Sequence, residues 1–175
     1  MSADINFNAL AKGVLAENRY LTLATCSADG VPWAAPLMYA VDQEDRFYWV
    51  SAWDAVHSRN LIENPSAALV IYNSNPGYGK AQALYCKARA TVLEDADLAR
   101  GCEIFYRMRY PDDEERATKG RTPVDFVGDS PRRMYAADVI EYSILHPAKH
   151  PVHGSLVDHR VVIEFSTRDG GVRIR

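Results

Sequence analysis

Phe47-Tyr48-Trp49-Val50-Ser51-Ala52-Trp53-Asp54-Ala55-Val56-His57-Ser58-Arg59-Asn60-Leu61-Ile62-Glu63-Asn64-Pro65 is the stretch on which the reading of this chain turns. Its opening residues, Phe47 to Ser51, form an apolar run of strand character, and a second such run, Ala67 to Tyr72, follows it. Between them Leu61 and Ile62 give a short helix an apolar side. Asn64-Pro65 ends that helix, because the residue before a proline is driven out of the helical region. The first helical turn carries His57, Ser58 and Arg59. A helix N-terminus presents unpaired N–H groups and the positive end of the helix dipole. A cationic, hydroxylic first turn at a strand-to-helix junction therefore reads as a seat for an anion, phosphate above all.

Outward from this stretch the chain reads as a series of strands. Residues 4 to 17 predict a helix capped by Asp4, with Ile5, Leu10, Val14 and Leu15 near one face. Tyr20 to Cys26 alternates as a strand, Ser27-Ala28-Asp29-Gly30 is a turn, and Pro32 to Val41 returns as a second strand. Pro36 has no N–H for a ladder bond, which places an edge or a bulge there. Ala81 to Leu93 is a long strand, Asp95 to Arg109 an acid-started helix, and Tyr110 to Gly120 a charged, exposed segment. Met134 to Leu145 and Arg160 to Phe165 read as late strands around a loop rich in proline and histidine. Antiparallel strands with a few helices point to a small barrel with helices packed on it.

Length and composition narrow the function. A chain of 175 residues is read as one domain, 1–175, with room for a core. A net charge of -3 without a basic stripe gives no nucleic-acid surface. The three cysteines are far apart, so neither a disulfide scaffold nor a zinc knuckle is expected. No apolar run approaches a membrane span and the N-terminus has no signal-peptide pattern, so a cytoplasmic setting is expected. His146, His150, His153 and His159 match no closed zinc spacing, and no metal is expected. No dinucleotide-binding glycine motif and no P-loop is present.

Leu21-Thr22-Leu23-Ala24-Thr25, Ala28-Asp29-Gly30-Val31-Pro32-Trp33, Phe47-Tyr48-Trp49-Val50-Ser51, His57-Ser58-Arg59-Asn60-Leu61, Glu63-Asn64-Pro65 and Gln82 to Ala90, in this order and spacing, resemble the pyridoxamine 5′-phosphate oxidase-like FMN-binding split barrels. The resemblance implies a mostly-β fold with packed helices, a six-stranded antiparallel split β-barrel. It implies a homodimer with FMN in a groove between protomers. Ala35, Pro36, Leu37 and Met38 would lie along the flavin ring, Ser51, His57, Ser58 and Arg59 would hold its phosphate, and Gln82 would contact the flavin. Arg132 and Arg133 lie near the position of the family's substrate-binding cations. Leu84, Tyr85 and the second strand offer apolar surface beyond the need of one small barrel, which also points to a dimer.

The departures matter as much. Where authentic pyridoxamine phosphate oxidases carry cations, this chain has Ala35, Ala40 and His57. A flavin oxidoreductase acting on some other small molecule is the expectation, with no catalytic side chain named. A non-enzymatic flavin module for redox sensing or storage is the rival. Relatives using F420 or haem, the latter held by a late histidine, are the others. Taken alone, Arg59 is a solvated helix face, His57 a surface histidine and Gln82 an outward strand position.

Overall fold

Antiparallel strands dominate the structure, a computed structural model that describes residues 5–75, 81–154 and 156–167. In chain order the elements are α1 (Phe7–Glu17), β1 (Tyr20–Cys26), β2 (Pro32–Met38), β3 (Ala40–Val41), β4 (Phe47–Ala52), α2 (Val56–Glu63), β5 (Ser66–Tyr72) and β6 (Ala83–Val92). Then follow α3 (Asp95–Arg109), α4 (Asp113–Lys119), a 3-10 turn (Pro123–Phe126), β7 (Arg132–Leu145) and β8 (Arg160–Ile163). The order across the sheet is β2-β1-β5-β6-β7-β4-β3, with β8 added to the second half of β7.

The two ends of that order, β2 and β3, are separated in the chain only by Tyr39. The sheet therefore curls until its edges are joined by one residue, which makes it a split barrel. The expected single strand from Pro32 to Val41 is thus two. Tyr39 breaks it because its side chain turns into the core, 6 % exposed, and its hydroxyl donates to Leu15 O of α1 at 3.1 Å. With β3 a continuation of β2 and β8 an addition, the eight strand segments contain the six expected of the barrel. Pro36 does lie on an edge strand, paired on one side with Thr22 of β1.

The core has two parts, one on each face of the sheet. Inside the barrel Leu21, Leu23, Phe47, Trp49, Leu69, Ile71, Leu84 and Ile144 pack with Phe7, Ala11 and Val14 of α1. Outside, Tyr48, Met134 and Ala136 are covered by Leu98, Cys102, Phe105 and Tyr106 of α3 and by Phe126. This explains why Phe47-Tyr48-Trp49 reads as a continuous apolar run: both faces of β4 are covered, so inward and outward positions are equally apolar.

Several sequence expectations are corrected. α1 is capped by Asn6, whose Oδ1 accepts from Ala9 N–H at 2.9 Å; Asp4 lies outside the described residues, as does 76–80 of the polar loop. The charged segment from Tyr110 contains a helix, α4, capped by Asp112 on Glu115 N–H at 2.8 Å and braced by the Glu115–Lys119 pair at 2.7 Å. Leu84 is 0 % exposed and belongs to the core, so it offers no surplus surface; Tyr20, Trp33, Trp53 and Tyr72 are among the large side chains that are exposed. Among the described residues no helix is long and apolar enough to cross a membrane.

α3 approaches the sheet at Gly101. A Cβ there would meet Leu93 Cδ1 at 2.7 Å, Met134 Sδ at 2.8 Å and Tyr48 Cδ1 at 3.2 Å. Gly101→Ala is therefore expected to destabilise by about 1–3 kcal/mol through overpacking, despite alanine's better helix propensity. Thermal unfolding checks this; a melting temperature equal to or above that of the parent would show that α3 moves away at no cost.

Candidate functional site

α2 is fastened at several points. Asn60 Nδ2 donates to Thr25 Oγ1 of β1 at 3.1 Å, with both residues buried. Leu61 is buried in the barrel core, whereas Ile62, expected on the same side, is 76 % exposed. Ser58, 0 % exposed, donates its hydroxyl to Ala52 O at 2.7 Å and so ties the helix to the end of β4. Asn64 N–H closes the last turn on Asn60 O at 2.7 Å.

The start of α2 is different. Its N-cap is Ala55, whose side chain caps nothing, and the first intrahelical bond is Arg59 N–H to Ala55 O at 3.0 Å. The amides of Val56, His57 and Ser58 thus lack a side-chain acceptor at a helix N-terminus, which is where anions are favoured. Beside them His57 Nε2 lies 2.8 Å from Ser51 Oγ, both side chains buried. Arg59 is exposed and its guanidinium donates to Asp54 O in the turn before the helix.

Burial pushes the His57 pKa below its ordinary value near 6.5. The imidazole is therefore neutral at neutral pH and does not supply a cation in place of the family's lysine. With its proton on Nε2 it donates to Ser51, which leaves the Ser51 hydroxyl hydrogen free for an anion.

β7 brings the two late arginines to the same corner. Arg133 pairs with Ser51 and Arg132 with Ala52. The Arg133 guanidinium is spent on backbone carbonyls, donating to Gly128 at 2.7 Å, Ser130 at 2.6 Å and Arg132 at 2.8 Å. Arg132 is exposed and lies over the Phe126 ring at 6.0 Å, so of the two it has the freer head group. Ala35, Leu37 and Met38 of β2 are half-buried and Pro36 exposed, each opposite a residue of β1. Ala40 is 0 % exposed beneath α3.

Gln82 is not brought to this corner. It precedes β6, where Leu84 pairs with Ile144, whereas Ser51 pairs with Arg133 of the same strand. From 133 to 144 is 11 positions, roughly 36 Å of strand at about 3.3 Å per residue. Gln82 is half-buried and its Oε1 is shielded with no hydrogen-bond partner. The Thr25–Asn60 tie and the carbonyl-bound role of Arg133 escaped sequence reading. Both depend on contacts between residues distant in the chain or on loop geometry, which periodicity does not report.

A histidine whose folded pKa lies below its unfolded one contributes stability that is complete above about pH 6.5 and is lost as pH falls through and below that value. His57→Gln, which keeps an amide near Ser51 but does not titrate, is expected to lose less thermal stability between pH 7 and 5 than the parent. Melting curves across this range check it; parallel pH profiles would show that His57 is not held neutral.

A family model described as pyridoxamine 5′-phosphate oxidase matches residues 7–137. Among curated proteins none matches the chain. Solved structures share its fold. A pyridoxamine 5′-phosphate oxidase-related, FMN-binding protein of Nostoc punctiforme is 14 % identical, with 99 % of this chain and 98 % of that one covered and a TM-score of 0.60. The haem storage protein HutZ of Vibrio cholerae is 17 % identical, with 78 % and 92 % covered and a TM-score of 0.60. A haem-binding protein of Mycobacterium smegmatis is 18 % identical, with 86 % of this chain but only 55 % of that one covered and a TM-score of 0.61. At such identities the likeness concerns the fold alone. The match over residues 7–137 covers well over half of the sequence, and on it the chain belongs to the pyridoxamine 5′-phosphate oxidase family of split barrels.

Proposed function

We propose that this protein binds FMN in a groove shared by two copies of the chain and acts as a flavin oxidoreductase on a small molecule. The observation that carries the reading is the first turn of α2, with no side-chain cap, beside the Ser51–His57 pair. Those residues suit a phosphate: amides from Val56 to Ser58, a hydroxyl from Ser51, and Arg59 at the rim, exchanging Asp54 O for a charged partner. The exposed edge of β2 around Ala35, Pro36, Leu37 and Met38 suits a flat ring laid beside backbone. A bound flavin would supply the redox chemistry, and these residues would seat and orient it.

The length of strand between Ser51 and Gln82 supports the shared groove. One protomer has the two at distant ends of β7, so a ligand touching both is more easily held between protomers. Such an interface links dimerisation to cofactor binding, and FMN should strengthen the dimer.

Titration of cofactor-free protein with FMN tests the reading. Arg59→Ala is expected to weaken binding about tenfold or more, as loss of a charge-assisted contact does. Mixing an Arg59→Ala protomer with a Gln82→Leu protomer should restore one intact site per heterodimer. Absence of FMN binding by the parent would end the flavin reading, and failure of mixing to restore affinity would end the shared-site one.

The chain is further proposed not to be an efficient pyridoxamine 5′-phosphate oxidase. Arg133 is committed to carbonyls and Ala35 carries no charge, so few cations are left for a second phosphate. Formation of pyridoxal 5′-phosphate under air should proceed with kcat/KM below about 10⁴ M⁻¹s⁻¹. A higher value would reverse this assignment.

Haem is the second reading. Two of the fold neighbours are haem proteins by description, and this chain has a histidine-rich loop near its end. A Soret band rather than a flavin spectrum in the purified protein would decide for it.

A further inference from the structure

A cleft of about 640 Å³ opens between α1, α3 and the turn that follows β3. Each helix gives it one face. α1 turns Lys12 and Leu15 to it, three positions apart, and α3 turns Arg100, Ile104, Arg107 and Met108, spaced as one stripe. The third wall is Val41 of β3 with Asp42 and Glu44 after it. Leu15 and Val41 pack at the margin of the inner core and Ile104 at the margin of the outer one, so the floor is apolar because the two cores meet there. Met108, 50 % exposed, completes it. Val41 lies opposite Phe47, four positions along β4 from Ser51, or about 13 Å of strand, so the cleft is separate from the start of α2.

One backbone donor faces this floor. Asp42 N–H bonds to Arg46 O at 3.1 Å, so by alternation the Val41 N–H points away from β4. It donates to Met108 Sδ at 3.4 Å. A thioether is a weak acceptor, and an oxygen in its place would bind the amide better. The charges of the rim are not equivalent. Asp42 and Glu44 both pair with Arg100, and the Asp42 carboxylate, its side chain 5 % exposed, also accepts from Tyr48 Oη and two amides. Arg107 pairs with Glu103, one turn back on α3 and outside the lining of the cleft, with side chains 66 % and 64 % exposed. An exposed pair four positions apart on a helix is worth little and is readily exchanged. Lys12 adds positive charge on the α1 wall.

We propose that this cleft binds an amphipathic carboxylate, a small molecule with an apolar body and one acid group. The body lies on Leu15, Val41, Ile104 and Met108, and its burial there drives binding. One carboxylate oxygen takes the Val41 N–H from Met108 Sδ, and Arg107 answers the charge. A cationic head group is disfavoured. The acids of the rim already share Arg100, while Arg107 and Lys12 repel a third cation. A neutral alcohol of the same length gains the floor but not the rim. Entry requires no change in the sheet. Only the Met108 side chain turns aside, and an unbranched thioether adapts readily. The proposal does not depend on which cofactor, if any, sits at α2.

Titration of the full chain with sodium octanoate, followed in ¹H–¹⁵N spectra, tests it. Saturable binding with a Kd of about 1 mM or below is expected. The Val41 amide proton should move downfield as oxygen replaces sulfur, while the amides of Ser51 and Val56 stay in place. 1-Octanol and octyltrimethylammonium should bind at least about threefold more weakly than octanoate. Arg107→Gln, a change at an exposed side chain, should weaken octanoate about threefold and remove its advantage over octanol. Met108→Leu keeps the floor and takes away the competing sulfur, so it should bind octanoate at least as well as the parent. No saturable binding, shifts centred on Ser51 and Val56, equal affinity for the alcohol or the ammonium, or an unchanged Kd in Arg107→Gln each overturn the assignment.

Discussion

Both open edges of the sheet are made by one short length of chain, and the architecture follows from that. Tyr39 is the corner. It passes the backbone from β2, at one end of the strand order, to β3 at the other, and its hydroxyl pins α1 through Leu15 O. β3 then fixes β4 beside it, and the turn between them is held by one carboxylate. Asp42 accepts from Tyr48 Oη at 2.7 Å, from Arg100 at 3.0 Å and from the amides of Glu44 and Arg46, each at 2.9 Å. Pairing of this kind raises the Tyr48 pKa, burial adding the larger share, and keeps the hydroxyl a donor. With β4 so placed, Ser51 lies one residue before the strand ends, shortly ahead of α2. The site is a consequence of how the barrel closes.

Most of the strands were legible because burial on one face leaves a period of two, as in Leu21 and Leu23 or Leu84 and Cys86. The interruption at Tyr39 was not, since a buried aromatic at a barrel corner looks like one more strand residue. α4 was missed for the opposite reason. It buries nothing, so no apolar stripe reports it, and only the Asp112 cap and the spacing of Glu115 and Lys119 could have shown it.

Residue types in the first turn of α2 suggested an anion seat, but they could not tell which partner each side chain takes in the fold. Ser58 and Arg133 carry groups typical of ligand binding and use them on the backbone. His57 is shielded and neutral where a partly charged surface residue was expected. These outcomes depend on desolvation and on which carbonyls a folded loop leaves unpaired, quantities that arise only once the chain is closed.

The outer flank of β2 has a consequence for assembly. Ser27 N–H bonds to Val31 O at 3.0 Å as the first rung of the β1–β2 ladder. By alternation, Trp33, Ala35 and Leu37 then turn their amides to β1, while positions 32, 34, 36 and 38 turn theirs outward. Two of those four outward positions are prolines, Pro32 and Pro36, which have no hydrogen to give. A foreign strand arriving at this margin would find its ladder interrupted at every second rung, so the barrel resists open-ended growth by strand addition. On this flank the backbone has little to offer a neighbour, and what it presents outward is side chain.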